Sequence, residues 1–162
     1  MKIKDLTRIA FLTAIIIICS YITIPFAVPF TLQTLGVFLS VLVLGKNKGS
    51  FAVLIYLLIG IIGVPVFSGM KGGIGVLLSP TGGYLTGFLA CAYITGIIYE
   101  KTNKPFLSCI SGLMVLYTAG TVWFYIVNPV SFVSIIATCI LPFIIPDVLK
   151  IALAVYIKKV VR

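Results

Sequence analysis

Asp147 and Lys150 are the residues whose types and spacing could do chemistry. They lie in Leu-Pro-Phe-Ile-Ile-Pro-Asp-Val-Leu-Lys, 141–150, a run that is otherwise apolar. Three residues apart on a helix, an acid and a base project from one face and can pair. An ionisable side chain at mid-membrane costs roughly 2.5–3.5 kcal/mol on insertion scales, so it faces protein or a wet cavity. Pro146 immediately precedes Asp147. A proline is well tolerated where a helix begins, because its missing N–H has no partner there anyway. The last helix is therefore predicted over about 146–160, with the pair near its N-terminus as the polar end of a binding site. A structural ion pair that pins this helix to its neighbours is the competing reading.

Little else in the chain could support catalysis. There is no histidine, and the acids are Asp5, Glu100 and Asp147. The first two are predicted at the opposite membrane face, so a paired-carboxylate mechanism is not assembled. Ser68 and Ser79 lack a base for nucleophilic attack, and no phosphate-binding loop of the G-x-x-x-x-G-K-[ST] type occurs. Cys19, Cys91, Cys109 and Cys139 are isolated in apolar stretches and read as packing residues. Neither enzyme activity nor a cofactor or metal is expected. A pocket fits the inventory better: aromatic residues such as Phe30, Phe67, Tyr84 and Trp123 can wall an apolar ligand. Gln33 and Lys71 are further polar groups predicted at the same end as Asp147 and Lys150.

The elements that must position these groups are membrane helices. Of 162 residues, 61% are hydrophobic and 9% charged, which excludes both a soluble domain and a disordered chain. Apolar runs predict an all-α, polytopic membrane protein, a single domain over 1–162, with six spans. These lie at about 6–22, 31–44, 50–63, 82–99, 106–127 and 146–160. A short apolar piece at 131–141 is predicted as a half-helix. Two prolines within 24–30 break the chain into extended backbone. Residues 45–49 read as a tight basic turn. Residues 64–80 read as a long non-helical loop, rich in glycine yet apolar, folded back over the bundle. Ala10 and Ala14, four apart, give the first helix a small-residue face, and Gly83 and Gly87 do the same for the fourth.

Charge tests the topology. The formal charge is +9, but the basic residues fall in clusters separated by apolar runs, which argues against a nucleic-acid surface. With six spans, Lys2, Lys4, Arg8, Lys46, Lys48, Lys101, Lys104, Lys158, Lys159 and Arg162 share one side, and Lys71 and Lys150 lie at the other. The positive-inside rule then puts both termini in the cytoplasm. The 24–30 break, the 64–80 loop, the 128–142 connection and the Asp147–Lys150 pair fall together on the outer side.

Four stretches together resemble the BioY family, the biotin-specific S components of energy-coupling factor (ECF) transporters. They are Val-Pro-Phe-Thr-Leu-Gln-Thr-Leu at 28–35, Gly-Val-Pro-Val-Phe at 63–67, Gly-Val-Leu-Leu-Ser-Pro-Thr-Gly-Gly-Tyr at 75–84 and Pro-Phe-Ile-Ile-Pro-Asp-Val-Leu-Lys at 142–150. Relatives usually carry glycine before Pro-Thr-Gly-Gly and often Pro-Gly-Asp near the end; here Ser79 and Ile145-Pro146-Asp147 stand in their place, and neither change removes a polar ligand group. The resemblance implies the ECF S-component fold, a six-helix module in the cell membrane that captures biotin from outside. It implies that Asp147 and Lys150 contact the polar groups of biotin, with Lys71 a candidate in the loop. It further implies that Ala10 and Ala14 dock on a transmembrane coupling subunit, and that two ATPase subunits drive release. On the residues alone, an S component for another vitamin and a small structural membrane protein remain rival readings.

Overall fold

In the computed structural model, residues 2–25 and 28–161 are described; Arg162 of the basic C-terminal cluster and residues 26 and 27 of the 24–30 break lie outside them. The elements in order are α1 (Ile3–Tyr21), β1 (Thr23–Ile24), β2 (Phe30–Thr31), α2 (Gln33–Leu44), α3 (Lys46–Ile61), α4 (Ile74–Leu78), α5 (Gly82–Thr102), α6 (Pro105–Val127), α7 (Phe132–Cys139) and α8 (Leu141–Val161). Six principal helices, α1, α2, α3, α5, α6 and α8, form the bundle, and α4 and α7 are short. Gly82–Thr102, Pro105–Val127 and the run Val133–Val161 are long and apolar enough to cross a membrane, whereas Gln33–Leu44 is shorter.

The short α2 is the centre of the molecule. Every residue from Gln33 to Leu42 is buried. Beyond its polar first turn and Ser40 the helix is apolar all round, as a helix in the interior is, and α1, α3, α5 and α8 surround it. Close approach is set by glycine. A Cβ on Gly49 would stand 2.6 Å from the Ser40 carbonyl oxygen, so α3 lies directly on the backbone of α2. The Gly83 and Gly87 face meets Trp123, Ala119 and Leu116 of α6 and is an intramolecular seam. Gly112 and Gly120 of α6 return the contact against Thr95 and Tyr84 of α5.

Three predicted boundaries are corrected. The 45–49 turn shrinks to Gly45, whose φ of 81° reverses the chain alone, and α3 begins at Lys46. The 64–80 segment is not wholly irregular: it contains α4 and a tight antiparallel bridge between Phe67 and Lys71. The last helix starts at Leu141, not at Pro146, which lies inside it. Pro146 removes one helical hydrogen bond, a loss tolerated in membrane bundles where neighbouring groups re-satisfy the backbone. Asp147 and Lys150 thus sit in the second and third turns of α8 rather than at its N-terminus. At the predicted 24–30 break, Thr23–Ile24 pairs with Phe30–Thr31 in a two-stranded antiparallel ribbon, and the half-helix is α7.

The two ends of the bundle differ in chemistry. Lys48 pairs with Asp5 at 2.8 Å and Lys46 with Glu100 at 3.5 Å, which brings the start of α1, the α2–α3 turn and the end of α5 together. Lys158 stands 5.0 Å from the Tyr99 ring, so the end of α8 joins them. The 64–81 segment, the ribbon and the first turns of α2 and α8 lie at the other end.

Candidate functional site

The site is built where α2, α6 and α8 converge beneath the 64–81 segment. Asp147 and Lys150 are 3% and 6% exposed. Their three-residue spacing on α8 lets the Lys150 Nζ donate to Asp147 Oδ1 at 2.8 Å. Thr34, in the first turn of α2, donates to the same oxygen at 3.2 Å. Tyr117, from the middle of α6, donates to Oδ2 at 2.6 Å. The carboxylate is therefore gripped by three donors from three helices, each a charge-assisted bond. Such a network compensates the desolvation of the acid, which alone would cost on the order of several kcal/mol. The ammonium is held on a second side by the Phe30 ring, 4.2 Å from Nζ to the centroid. Phe30 is in turn stacked on Phe143 at 6.4 Å.

Beside this pair is a cavity of about 320 Å³, lined by Gln33, Thr34, Phe67, Lys71, Tyr84, Tyr117, Asp147 and Lys150 among others. Its remaining wall is mainly apolar, with Val76, Leu85, Phe88, Leu116 and Phe143. A few placed polar groups in an apolar hollow is the composition of a small-molecule site.

Each predicted residue can now be located. Gln33 is buried at the base of the cavity; its Oε1 accepts from Thr31 Oγ1 at 2.9 Å and its amide donates to the Tyr56 hydroxyl. Phe67 is 1% exposed, meets the Tyr56 ring edge-on at 5.5 Å and presses into the space above Gly60. The turn from Phe67 to Lys71 passes through Gly69 and Met70, both with positive φ, and returns Lys71 to the exposed lip of the cavity. Tyr84 lines the cavity and donates to the Cys139 carbonyl at 3.1 Å, tying α5 to α7. Phe30 is not among the lining residues; it sits behind Lys150 as a cation–π support. Trp123, read as an interfacial belt residue or ligand wall, instead donates to the Ser79 carbonyl at 2.9 Å and holds down the loop. Ala10 and Ala14 are exposed on α1 and take no part in the cavity.

The cover is fastened as well as folded back. Ser20 of α1 donates to the Val66 carbonyl at 2.6 Å, and Thr23 bonds Ser68 at 3.2 Å. The Gly73 N–H reaches the Gly60 carbonyl at 2.7 Å. These bonds satisfy irregular backbone that lipid could not.

Thr34 and Tyr117 escaped the sequence reading. Thr34 adjoins Gln33, which was singled out, so a polar pair on one helix turn was a usable signal. Tyr117 had none beyond its hydroxyl within an apolar helix.

Comparison with known proteins gives the family and the fold. The BioY family model matches residues 1–162. A probable biotin transporter BioY of Pyrococcus horikoshii is 38% identical over 160 residues, covering 98% of this chain and 96% of its own. The biotin transporter BioY of Thermotoga maritima is 39% identical over 159 residues, covering 95% and 93%. A crystal structure of the S-component for biotin from an ECF-type ABC transporter superposes with a TM-score of 0.92 at 29% identity, covering 99% of this chain and 91% of that one. With the whole length matched and the fold shared, this chain belongs to the BioY family.

Proposed function

We propose that this chain is the biotin-binding S component of an ECF-type uptake transporter, working with a transmembrane coupling subunit and two ATPase subunits. It is a multi-pass membrane protein and a transporter subunit, not an enzyme. The observation that carries the ligand reading is the buried Asp147–Lys150 pair on the wall of a cavity of about 320 Å³. Biotin suits that wall: its ureido group offers N–H donors and a carbonyl, its fused rings are apolar, and its tail is anionic.

The roles follow from the donor pattern. Asp147 accepts from a ureido N–H at the one lone-pair site, on Oδ2, that Lys150, Thr34 and Tyr117 leave free. Lys150, held against Asp147 and Phe30, donates a remaining N–H to a ligand oxygen. Phe67 and Tyr84 pack the rings, Gln33 closes the base, and Lys71 at the lip meets the carboxylate tail. Tyr117 and Thr34 are positioning residues that set the carboxylate before ligand arrives, so little reorganisation is needed on binding.

The orientation we assign puts both termini in the cytoplasm and the cavity outside, because the positive charge gathers at the end away from the cavity. The exposed Ala10 and Ala14 face of α1 then serves as the seat for the coupling subunit, since small residues let two helices approach closely. Titrating biotin into the detergent-solubilised protein, with thiamine and riboflavin as controls, tests the ligand assignment. Saturable heat with biotin alone supports it; saturation by another vitamin, or by none, defeats it.

A further inference from the structure

We infer that the cleft where α2, α5 and α8 meet at the basic end seats the phosphate of an anionic phospholipid. The cleft has a volume of about 230 Å³ and is lined by Leu42, Val43, Tyr99, Lys158 and Val161. It is separate from the biotin cavity, with which it shares no residue.

The occupant is argued from charge and from the rim. Lys158 is half-buried, and among the described residues no carboxylate lies within ion-pairing distance of it. Its Nζ is steadied 5.0 Å from the Tyr99 ring centroid, which fixes the direction of the ammonium without neutralising it. The nearest acid along α5, Glu100, is committed to Lys46 through both its side-chain oxygens. The exposed Lys101, two residues beyond Tyr99, and Lys159, next to Lys158, add positive potential. The rim is apolar: Val43 is 39% and Val161 64% exposed. A fixed cation inside a cleft with greasy edges, in a membrane protein, matches a lipid that has an anionic head and acyl chains. Basic pockets between helices on the cytoplasmic side bind such head groups.

The site also has a mechanical position. Two of the helices that frame it, α2 and α8, also build the biotin cavity. Asp147, Lys150 and Lys158 share α8, and Gln33, Thr34, Leu42 and Val43 share α2. A head group in the cleft braces the α2–α8 pair at the end opposite its ligand.

The test uses the full chain in nanodiscs of phosphatidylcholine with or without phosphatidylglycerol, read by Tm. Wild type, Lys158→Arg and the neighbouring control Lys159→Gln are expected to gain stability from phosphatidylglycerol, and Lys158→Gln to lose more than half of that gain. Inorganic phosphate at matched ionic strength is expected to give no gain, which distinguishes a lipid site from a free-anion site. An equal gain in wild type and Lys158→Gln, a gain from phosphate alone, or no gain in wild type overturns the assignment. Should Lys158→Gln fail to fold, native mass spectrometry of the wild type decides. Selective retention of one phosphatidylglycerol over phosphatidylcholine supports the site, and equal retention refutes it.

Discussion

The molecule holds the same ion pair chemistry in two environments. At the basic end, Lys48–Asp5 and Lys150–Asp147 at the cavity have the same length, 2.8 Å. The first has side chains 43% and 22% exposed, the second 6% and 4%. An exposed pair is worth about 0–1 kcal/mol and is screened by salt. Breaking a buried pair costs about 3–5 kcal/mol, because the survivor is left charged and unpaired. Distance alone thus says nothing of importance. What separates the two is that the buried pair has recruited Thr34, Tyr117 and Phe30 from other elements and faces a hollow. The exposed pair ties helix ends together and faces nothing.

The comparison sharpens most where the buried network is cut. Asp147→Asn or Lys150→Ala should each weaken biotin binding by at least two orders of magnitude, since about 3–5 kcal/mol spans such factors; equilibrium binding of radiolabelled biotin reads it. Tyr117→Phe removes one charged hydrogen bond, worth about 1.5–3 kcal/mol. We expect roughly a tenfold to hundredfold rise in Kd by the same assay, whereas an unchanged Kd would show that Asp147 needs no orienting. Next is Gly60→Ala. Its new Cβ would fall within the Phe67 ring, and overpacking costs about 1–3 kcal/mol. A fall in Tm together with weaker biotin binding is expected, because Phe67 lines the cavity. The smallest effect is at the basic end: Lys48→Met should change stability by less than about 1 kcal/mol and leave biotin affinity at the wild-type value. A large loss of affinity there would erase the distinction between the two ends.

Much of this was legible in the sequence, for physical reasons. Long apolar runs can only be buried or lipid-facing, so the helices ending at Val127 and the half-helix Phe132–Cys139 lie where hydropathy put them. The charge split predicted which ends cluster, and the Asp5–Lys48 and Lys46–Glu100 contacts follow it. Glycine that stays apolar, as in 64–80, marked a segment that must cover protein rather than meet water. Four things were not legible. Proline preferences favoured a start at Pro146, but packing carries α8 back to Leu141. Gly45 alone completes a turn that composition spread over five residues. Thr34 and Tyr117 reach Asp147 across 113 and 30 residues, and no local pattern encodes convergence at that range. Phe30 and Trp123 have the residue type of aromatic walls, yet they support Lys150 and the loop from behind. Residue type was informative there, and direction was not.

The most direct test of the central claim is calorimetric titration of biotin into wild type and into the double variant Asp147→Leu, Lys150→Leu. Replacing both partners by apolar groups leaves no unpaired charge, so the fold should survive with an unchanged or raised Tm. The account predicts a folded double variant with no measurable biotin binding. A double variant that still binds biotin as the wild type does would mean that the pair serves packing alone, and would contradict it.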